Sequence, residues 1–203
     1  MIAIVDYGVG NLFSLSASLS HLGLESTITR DKKVIDCANS IILPGVGAFG
    51  DAADKLRDTG LFSFLQEQAG QGKPFLGICL GMQLLFDRSY EYGVHEGLGL
   101  IPGDICLFTE DLKTGLKVPH IGWNSLKLLR EDDPLMKYSK TGDYVYFVHS
   151  YYAKFCEESL VAVAEYEVIV PGVVRKNNVW GTQFHPEKSG AAGLNMLRAF
   201  GEM

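Results

Sequence analysis

A cysteine between two glycines is the part of this sequence best suited to covalent chemistry. Cys79 stands in Gly77-Ile78-Cys79-Leu80-Gly81, between two apolar stretches. This is the spacing of the G-x-S-x-G nucleophile elbow, with sulfur in place of the hydroxyl oxygen. The glycines permit a sharp turn from strand to helix, because a β-carbon at either position would collide with a neighbouring element. We therefore predict that Cys79 is a nucleophile held at the top of a sheet.

A cysteine nucleophile needs a base, and His185 is the strongest candidate among the five histidines. It precedes Pro186, which biases it toward an extended backbone. In an extended chain residues two apart face the same side, so Glu187 is placed to orient the imidazole. We predict a triad of Cys79, His185 and Glu187 for acyl chemistry. Taken alone, the His-Pro-Glu segment is equally consistent with a turn at a strand end.

Acyl chemistry also requires N–H donors for the oxyanion that forms during attack. The N–H of Leu80, directly after the nucleophile, is the first donor that we predict. The second is the N–H of Val46 in Pro44-Gly45-Val46-Gly47, where the glycines give the backbone unusual freedom. The alternative for this segment is a simple tight turn, since Pro-Gly pairs commonly form one.

The elements that position these groups alternate between strands and helices in the first half of the chain. Such alternation favours right-handed crossovers and a parallel sheet, with ligands beyond the carboxyl ends of the strands. The hydrophobic periodicity predicts strands at residues 2–5, 25–29, 40–43 and 75–78, and helices at residues 12–22, 52–70 (broken near Gly60) and 80–86.

The second half of the chain is richer in short strands. A hairpin is predicted at Asn177-Asn178, because asparagine tolerates positive φ. No repeat or linker is visible, so we predict one α/β domain over residues 1–203, with a mixed, mostly parallel central sheet flanked by helices. The remaining predictions are a glycine-rich loop at 93–103, strands at 105–108, 124–128, 144–149, 160–166, 173–176 and 179–184, and a helix at 191–200.

Composition narrows the class of protein. Apolar residues make up 47% of the 203 residues, charged residues 21%, and the net charge is −6. No basic stripe is present, which argues against a nucleic-acid partner. No run of about 18 apolar residues exists, so no membrane partner is expected, and the first residues lack the features of a signal peptide.

The four cysteines are far apart and show no metal-ligand spacing. We therefore expect a reduced, cytoplasmic protein without a metal or another cofactor. Cys37, Cys106 and Cys156 are expected to be small buried apolar residues, which is the usual environment of a free cysteine.

The catalytic motifs resemble those of the class I, or triad, glutamine amidotransferases. Further segments resemble, more narrowly, the glutaminase subunits of imidazole glycerol phosphate synthases, in that family's order and without a departure at a catalytic position. These segments are Asp6-Tyr7-Gly8-Val9-Gly10-Asn11, Leu43-Pro44-Gly45-Val46-Gly47, Pro119-His120-Ile121-Gly122-Trp123-Asn124, Phe147-Val148-His149-Ser150-Tyr151 and His185-Pro186-Glu187-Lys188-Ser189.

The resemblance implies that Cys79 and His185 hydrolyse glutamine through a γ-glutamyl thioester. It implies that the ammonia passes to a (β/α)8-barrel cyclase subunit, which makes imidazole glycerol phosphate and aminoimidazole carboxamide ribotide in histidine biosynthesis. It also implies a set of contact residues. In this set Glu91 suits the α-ammonium of glutamine, and the backbone of residues 150–151 meets the α-carboxylate of glutamine. The set consists of Gly47, Gln83, Glu91, Ser150 and Tyr151 for glutamine, and Trp123, Asn124 and Lys188 for the partner.

Several alternatives remain open on the sequence. The same half-reaction could serve another synthase, such as one for surface-sugar amidation, or the chain could be a stand-alone cysteine hydrolase or a silent regulatory subunit. His149 is interpreted as a satisfied buried histidine, and His120 is undecided between loop packing and an interface. Trp123 could fill the core, although its flanking residues favour a loop.

Overall fold

The computed structural model describes residues 1–112 and 116–203. The α-helices are α1 Leu12–His21, α2 Lys32–Cys37, α3 Phe49–Asp58, α4 Leu61–Gly70, α5 Leu80–Gln83 and α6 Gly190–Gly201. The strands are β1 Ile2–Val5, β2 Ser26–Thr29, β3 Ser40–Gly45, β4 Phe75–Cys79, β5 Arg88–Ser89, β6 His95–Glu96, β7 Asp104–Leu107, β8 His120–Ser125, β9 Lys127–Leu128, β10 Tyr144–His149, β11 Tyr151–Lys154, β12 Leu160–Tyr166, β13 Val168–Lys176 and β14 Val179–Thr182.

A mixed sheet of eight strands forms the centre of the described part of the chain, in the order β2-β1-β3-β4-β14-β13-β12-β9. The pairings from β2 to β14 are parallel, and the three beyond β14 are antiparallel. Alternate residues of β1 point to opposite faces. Ala3 and Val5 pack with residues of α3 and α4, whereas Ile2 and Ile4 pack with residues of α1 and α6. The predicted α/β class, with a mostly parallel sheet flanked by helices, is confirmed.

The strand order brings the carboxyl ends of β1, β3, β4 and β14 side by side. Gly45 is level with Cys79 across β3 and β4, and Thr182 is level with Ile78 across β14 and β4. The segments that follow these strands therefore meet at one edge of the sheet. The functional groups predicted from the sequence follow β3, β4 and β14.

The helix predicted at residues 80–86 ends earlier than its apolar pattern indicates. α5 stops at Gln83, because the following carbonyls accept hydrogen bonds from the glycine-rich loop instead of from the next helical turn. Leu98 N–H binds Leu84 O at 2.7 Å, and Leu100 N–H binds Leu85 O at 2.8 Å. Hydrogen bonds from the loop thus take the place of those that a further helical turn would make.

The other predicted elements of the first half are confirmed to within a few residues, including the break at Gly60, which has φ of 66°. The helix α2 was not predicted. In the second half, the strand predicted at 124–128 is wrong, since β8 ends at Ser125 and β9 belongs to a different sheet. The strand β11 was also missed. None of the helices in the two described ranges has both the length and the apolar character that a membrane span requires.

Candidate active site

Cys79 ends β4 and immediately precedes α5, at the strand-to-helix turn that the spacing predicts. Its backbone has φ of 55° and ψ of −111°, a conformation that residues with a β-carbon rarely adopt. A β-carbon on Gly81 would lie 1.8 Å from Leu43 O, and one on Gly77 would lie 2.5 Å from Gly81 O. Glycine is therefore required on both sides by the close approach of the backbone. The Cys79 side chain is buried rather than freely exposed.

His185 approaches Cys79 from the segment that follows β14, and the thiol is close enough to raise the pKa of the imidazole. Its Nδ1 lies 2.9 Å from Glu187 Oε1, and both of these side chains are only 3% exposed. The backbone conformation that brings Glu187 to His185 differs from the predicted one. His185 is extended, but Glu187 lies in a 3-10 turn, Pro186–Lys188, so the turn rather than strand alternation brings the carboxylate back to the imidazole.

The charge of His185 is set by its two neighbours. Burial lowers the pKa of the imidazole, but the interactions with Cys79 and Glu187 together outweigh that effect and raise the pKa to about 9. An imidazolium between two acidic side chains can protonate a leaving group. This is the acid that a cysteine nucleophile needs in the first half of an acyl transfer.

The loop after β3 lies beside the elbow. The Tyr7 hydroxyl donates a hydrogen bond to Pro44 O at 2.8 Å, and burial together with the charge of Cys79 raises the pKa of that hydroxyl. Val46 follows and lines a small cavity with His185. The structure thus places Val46 near the reacting pair, while Leu80 begins α5, where an N–H has no acceptor within the helix.

Two glutamines connect the elbow to β11. Gln83 Nε2 lies 3.1 Å from both Tyr151 O and Gln183 Oε1. Gln183 Nε2 lies 4.0 Å from Cys79 Sγ, and its side chain is fully buried. Sequence reasoning missed Gln183. Its place two residues before His185, on the same edge of the sheet, is the signal that could have found it.

Glu91 reaches the first turn of α3. Its Oε2 accepts a hydrogen bond from Phe49 N–H at 2.6 Å, so one carboxylate oxygen is engaged with the backbone. Gly47 lies just before that helix, with φ of 98°. The structure therefore brings Glu91 next to the loop that carries Val46.

Ser150 joins β10 to β11, and Tyr151 is the first residue of β11. Ser150 O accepts from Phe108 N–H at 3.1 Å, and Tyr151 O accepts from His149 Nδ1 at 2.8 Å. With the Gln83 contact, these bonds place the segment beside the residues around Cys79. His149 is buried and hydrogen-bonded, as interpreted from the sequence.

The residues predicted to face a partner lie on an exposed part of the surface. Trp123 is 56% exposed and does not fill the core, and its neighbour in β8, Ile121, is 58% exposed. Lys188 is exposed, and Asn124 is partly buried. The Trp123 ring has one edge contact, to the ring of Tyr146 at 6.0 Å.

The other cysteines divide into two environments. Cys106 and Cys156 are buried as expected, and burial raises the pKa of the Cys156 thiol to about 12. The expectation for Cys37 is wrong, because it is exposed at the end of α2. Within residues 1–112 and 116–203, no three His, Cys, Asp or Glu side chains are grouped as metal ligands.

Known proteins resemble this chain along its full length. The sequence profile of the family described as "Glutamine amidotransferase class-I" matches residues 3–202. "Imidazole glycerol phosphate synthase subunit HisH" of Caldanaerobacter subterraneus subsp. tengcongensis is 50% identical, over 100% of this chain and 98% of that protein. The protein of the same name in Listeria monocytogenes is 48% identical, over 100% and 96%.

Solved structures share the fold. "Structure of PurLQS from Thermotoga maritima" superimposes with a TM-score of 0.76 over 98% of this chain and 96% of that chain, at 21% identity. "Crystal structure of glutamine amidotransferase" gives a TM-score of 0.75 over 99% and 100%, at 18% identity. Identity this low supports the likeness in fold alone.

Proposed function

Because the chain belongs to the class I glutamine amidotransferase family, we propose that it hydrolyses glutamine to glutamate and ammonia as the glutaminase subunit of an imidazole glycerol phosphate synthase. The single observation that carries this proposal is the placement, close to Cys79, of an imidazole that Glu187 orients. The full-length similarity to proteins named for that subunit supports it. In this proposal residues 1–203 form one glutaminase domain that acts in the cytoplasm.

The first half-reaction forms a thioester. The Cys79 thiolate attacks the side-chain carbonyl carbon of glutamine, and the carbonyl electrons move to oxygen. When the oxyanion collapses, the carbon–nitrogen bond breaks and His185 gives its proton to the leaving nitrogen, which departs as ammonia. The N–H groups of Val46 and Leu80 are the donors that we propose for the oxyanion.

The second half-reaction returns the enzyme to its starting state. Neutral His185 takes a proton from water as the water oxygen attacks the thioester carbonyl. Collapse of the second oxyanion breaks the carbon–sulfur bond and releases glutamate and the Cys79 thiolate. Glu187 keeps Nδ1 of the imidazole in place throughout, so Nε2 is the nitrogen that moves protons.

Glutamine is held by groups that surround the elbow. We propose that Glu91 binds its α-ammonium through the carboxylate oxygen that Phe49 does not use. The remaining contacts in this proposal come from Gly47, Gln83 and the backbone of Ser150 and Tyr151.

The ammonia is delivered to a (β/α)8-barrel cyclase subunit that docks over Trp123, Asn124 and Lys188. The exposed aromatic and aliphatic side chains of β8 support this assignment, because such residues are enriched at protein interfaces. The cyclase uses the ammonia to make imidazole glycerol phosphate and aminoimidazole carboxamide ribotide in histidine biosynthesis.

A reconstitution experiment tests this function. The chain is assayed alone and with the barrel subunit and its nucleotide substrate, and both glutamate and imidazole glycerol phosphate are measured. We expect little glutamate from the chain alone and glutamine-driven ring closure with the partner. Strong hydrolysis without the partner would favour a stand-alone hydrolase, and hydrolysis without ring closure would indicate a different synthase.

A further inference from the structure

A chain of hydrogen bonds joins β8 to the carbonyl of Tyr151 through two buried histidines. Asn124 Nδ2 lies 3.4 Å from His120 Nε2. His120 Nδ1 lies 3.1 Å from His149 Nε2. His149 Nδ1 lies 2.8 Å from Tyr151 O, the same carbonyl oxygen that Gln83 contacts. This series of hydrogen bonds therefore begins on the strand that carries the exposed Trp123 and ends beside the nucleophile elbow.

The donors and acceptors in this chain fit together in one direction only. Burial lowers the pKa of His149 to about 3 and that of His120 to about 4, so both rings are neutral and each carries one N–H. Because Tyr151 O can only accept, the proton of His149 must be on Nδ1. Its Nε2 then accepts from His120 Nδ1–H, and His120 Nε2 accepts from the Asn124 amide.

Packing holds both rings in this arrangement. The His120 ring is stacked between Phe147, at 4.8 Å between centroids, and Tyr166, at 4.1 Å. The His149 ring lies against Phe108 at 5.1 Å. The catalytic steps described above do not use either histidine, although both are almost fully buried. Two buried imidazoles with matched partners are suited to fixing backbone position.

We propose that His149 is a positioning residue for glutamine, which holds the backbone of Ser150 and Tyr151 where it meets the α-carboxylate, and that His120, with Asn124 behind it, holds the His149 ring by donating to its Nε2. This inference rests on the proposed function and adds the group that orders its substrate subsite. Loss of the His149 donor takes a hydrogen bond away from Tyr151 O, the carbonyl that also positions Gln83. Glutamine binding then weakens while the thiolate and its acid stay in place.

Two substitutions of His149 separate hydrogen bonding from packing. His149→Asn keeps an amide N–H near the Nδ1 position but removes the ring. His149→Phe keeps a ring against Phe108 but removes both nitrogens. Each variant is assayed with the barrel subunit, for KM and kcat with glutamine and for ring closure with added ammonia.

We expect His149→Phe to raise KM for glutamine about three- to tenfold with kcat changed less than about twofold, as loss of one hydrogen bond predicts. His149→Asn should have a KM closer to wild type, and both variants should keep ammonia-driven ring closure. A KM for His149→Phe that is equal to, or closer to wild type than, that of His149→Asn would overturn the proposal. Wild-type protein that releases no glutamate would instead overturn the proposed function.

His120→Phe provides a second test if His149→Phe does not fold. The substitution keeps the stack on Phe147 and Tyr166 and removes the donor to His149 Nε2. We expect KM for glutamine to rise and the 15N resonance of His149 Nε2 to shift, because that nitrogen loses its hydrogen-bond donor. An unchanged KM, or an unchanged Nε2 resonance, would contradict the proposal.

Discussion

Nδ1 of His185 lies 2.9 Å from Oε1 of Glu187, and only Pro186 separates the two residues in the chain. The 3-10 turn that begins at Pro186 closes this contact, and both side chains are removed from solvent. The carboxylate therefore fixes which imidazole nitrogen faces Cys79. Because Glu187 is only two residues from His185 in the sequence, the pair forms a rigid local unit.

Replacing Glu187 with glutamine tests this unit. An amide in place of the carboxylate removes the charge that supports His185 as an acid, so we expect kcat to fall at least about tenfold with KM changed less than about threefold. Steady-state kinetics in the presence of the barrel subunit measure both values. Glu131→Gln at an exposed position is the matched control. A wild-type kcat in Glu187→Gln would remove Glu187 from the triad.

Backbone strain at Cys79 can be measured separately from its chemistry. The observed φ of 55° and ψ of −111° are the mirror image of an ordinary extended conformation. Glycine adopts both of these conformations equally readily, because it has no β-carbon. We expect Cys79→Ala and Cys79→Gly to be equally inactive but to bind the partner. Urea unfolding should show Cys79→Gly to be more stable than Cys79→Ala by about 1 kcal/mol. Equal or reversed stabilities would show that this backbone is not strained.

The glycine after the nucleophile is a packing requirement. A β-carbon at Gly81 would lie 1.8 Å from Leu43 O, and strand β3 cannot move away without breaking its pairing with β4. We expect Gly81→Ala to destabilise the protein by more than about 3 kcal/mol, or to prevent folding. Gly70→Ala is the control, since nothing lies within 4 Å of its β-carbon position. A Gly81→Ala variant with wild-type stability would contradict the observed packing.

The stability of the protein should depend on pH through three histidines. The pKa values of His120 and His149 fall from 6.5 to about 4 and about 3 on folding, so between these values the unfolded chain binds more protons. The unfolding free energy should therefore rise as pH increases from about 4 to about 6.5. The pKa of His185 is raised to about 9, so its contribution is present below pH 6.5 and is lost as pH rises through 9.

Urea unfolding at pH values from 5 to 9 measures both trends. We expect His149→Asn to weaken the rise at low pH, and His185→Asn to weaken the fall at high pH. Because carboxylates also titrate at low pH, the contribution of each histidine is taken from the difference in unfolding free energy between the variant and wild type. Identical pH profiles in wild type and variants would contradict these pKa directions.

Local sequence signals predicted the parts of the site that depend on backbone shape. Gly77 and Gly81 marked the elbow because their spacing follows from a steric requirement. The proximity of Glu187 to His185 followed from two residues of separation, although the backbone between them forms a turn. These predictions succeeded because each contact depends on neighbours in the chain.

The features of the site that the sequence did not predict depend on contacts between residues that are distant in sequence. Gln183 touches Cys79 and Gln83, each about a hundred residues away in the chain. The early end of α5 depends on N–H groups of the loop at residues 98–101. The link between His120 and His149 depends on the pairing of β8 with β10. Periodicity and composition contain none of this information.

Covalent labelling of the nucleophile tests the central claim most directly. The protein is incubated, in complex with the barrel subunit, with a glutamine analogue that carries a diazoketone in place of the carboxamide, and the adduct is mapped by mass spectrometry. We predict a single adduct on Cys79 that excess glutamine suppresses and that Cys79→Ala lacks. An adduct on the exposed Cys37, or the absence of any adduct while glutamine is hydrolysed, would contradict Cys79 as the nucleophile.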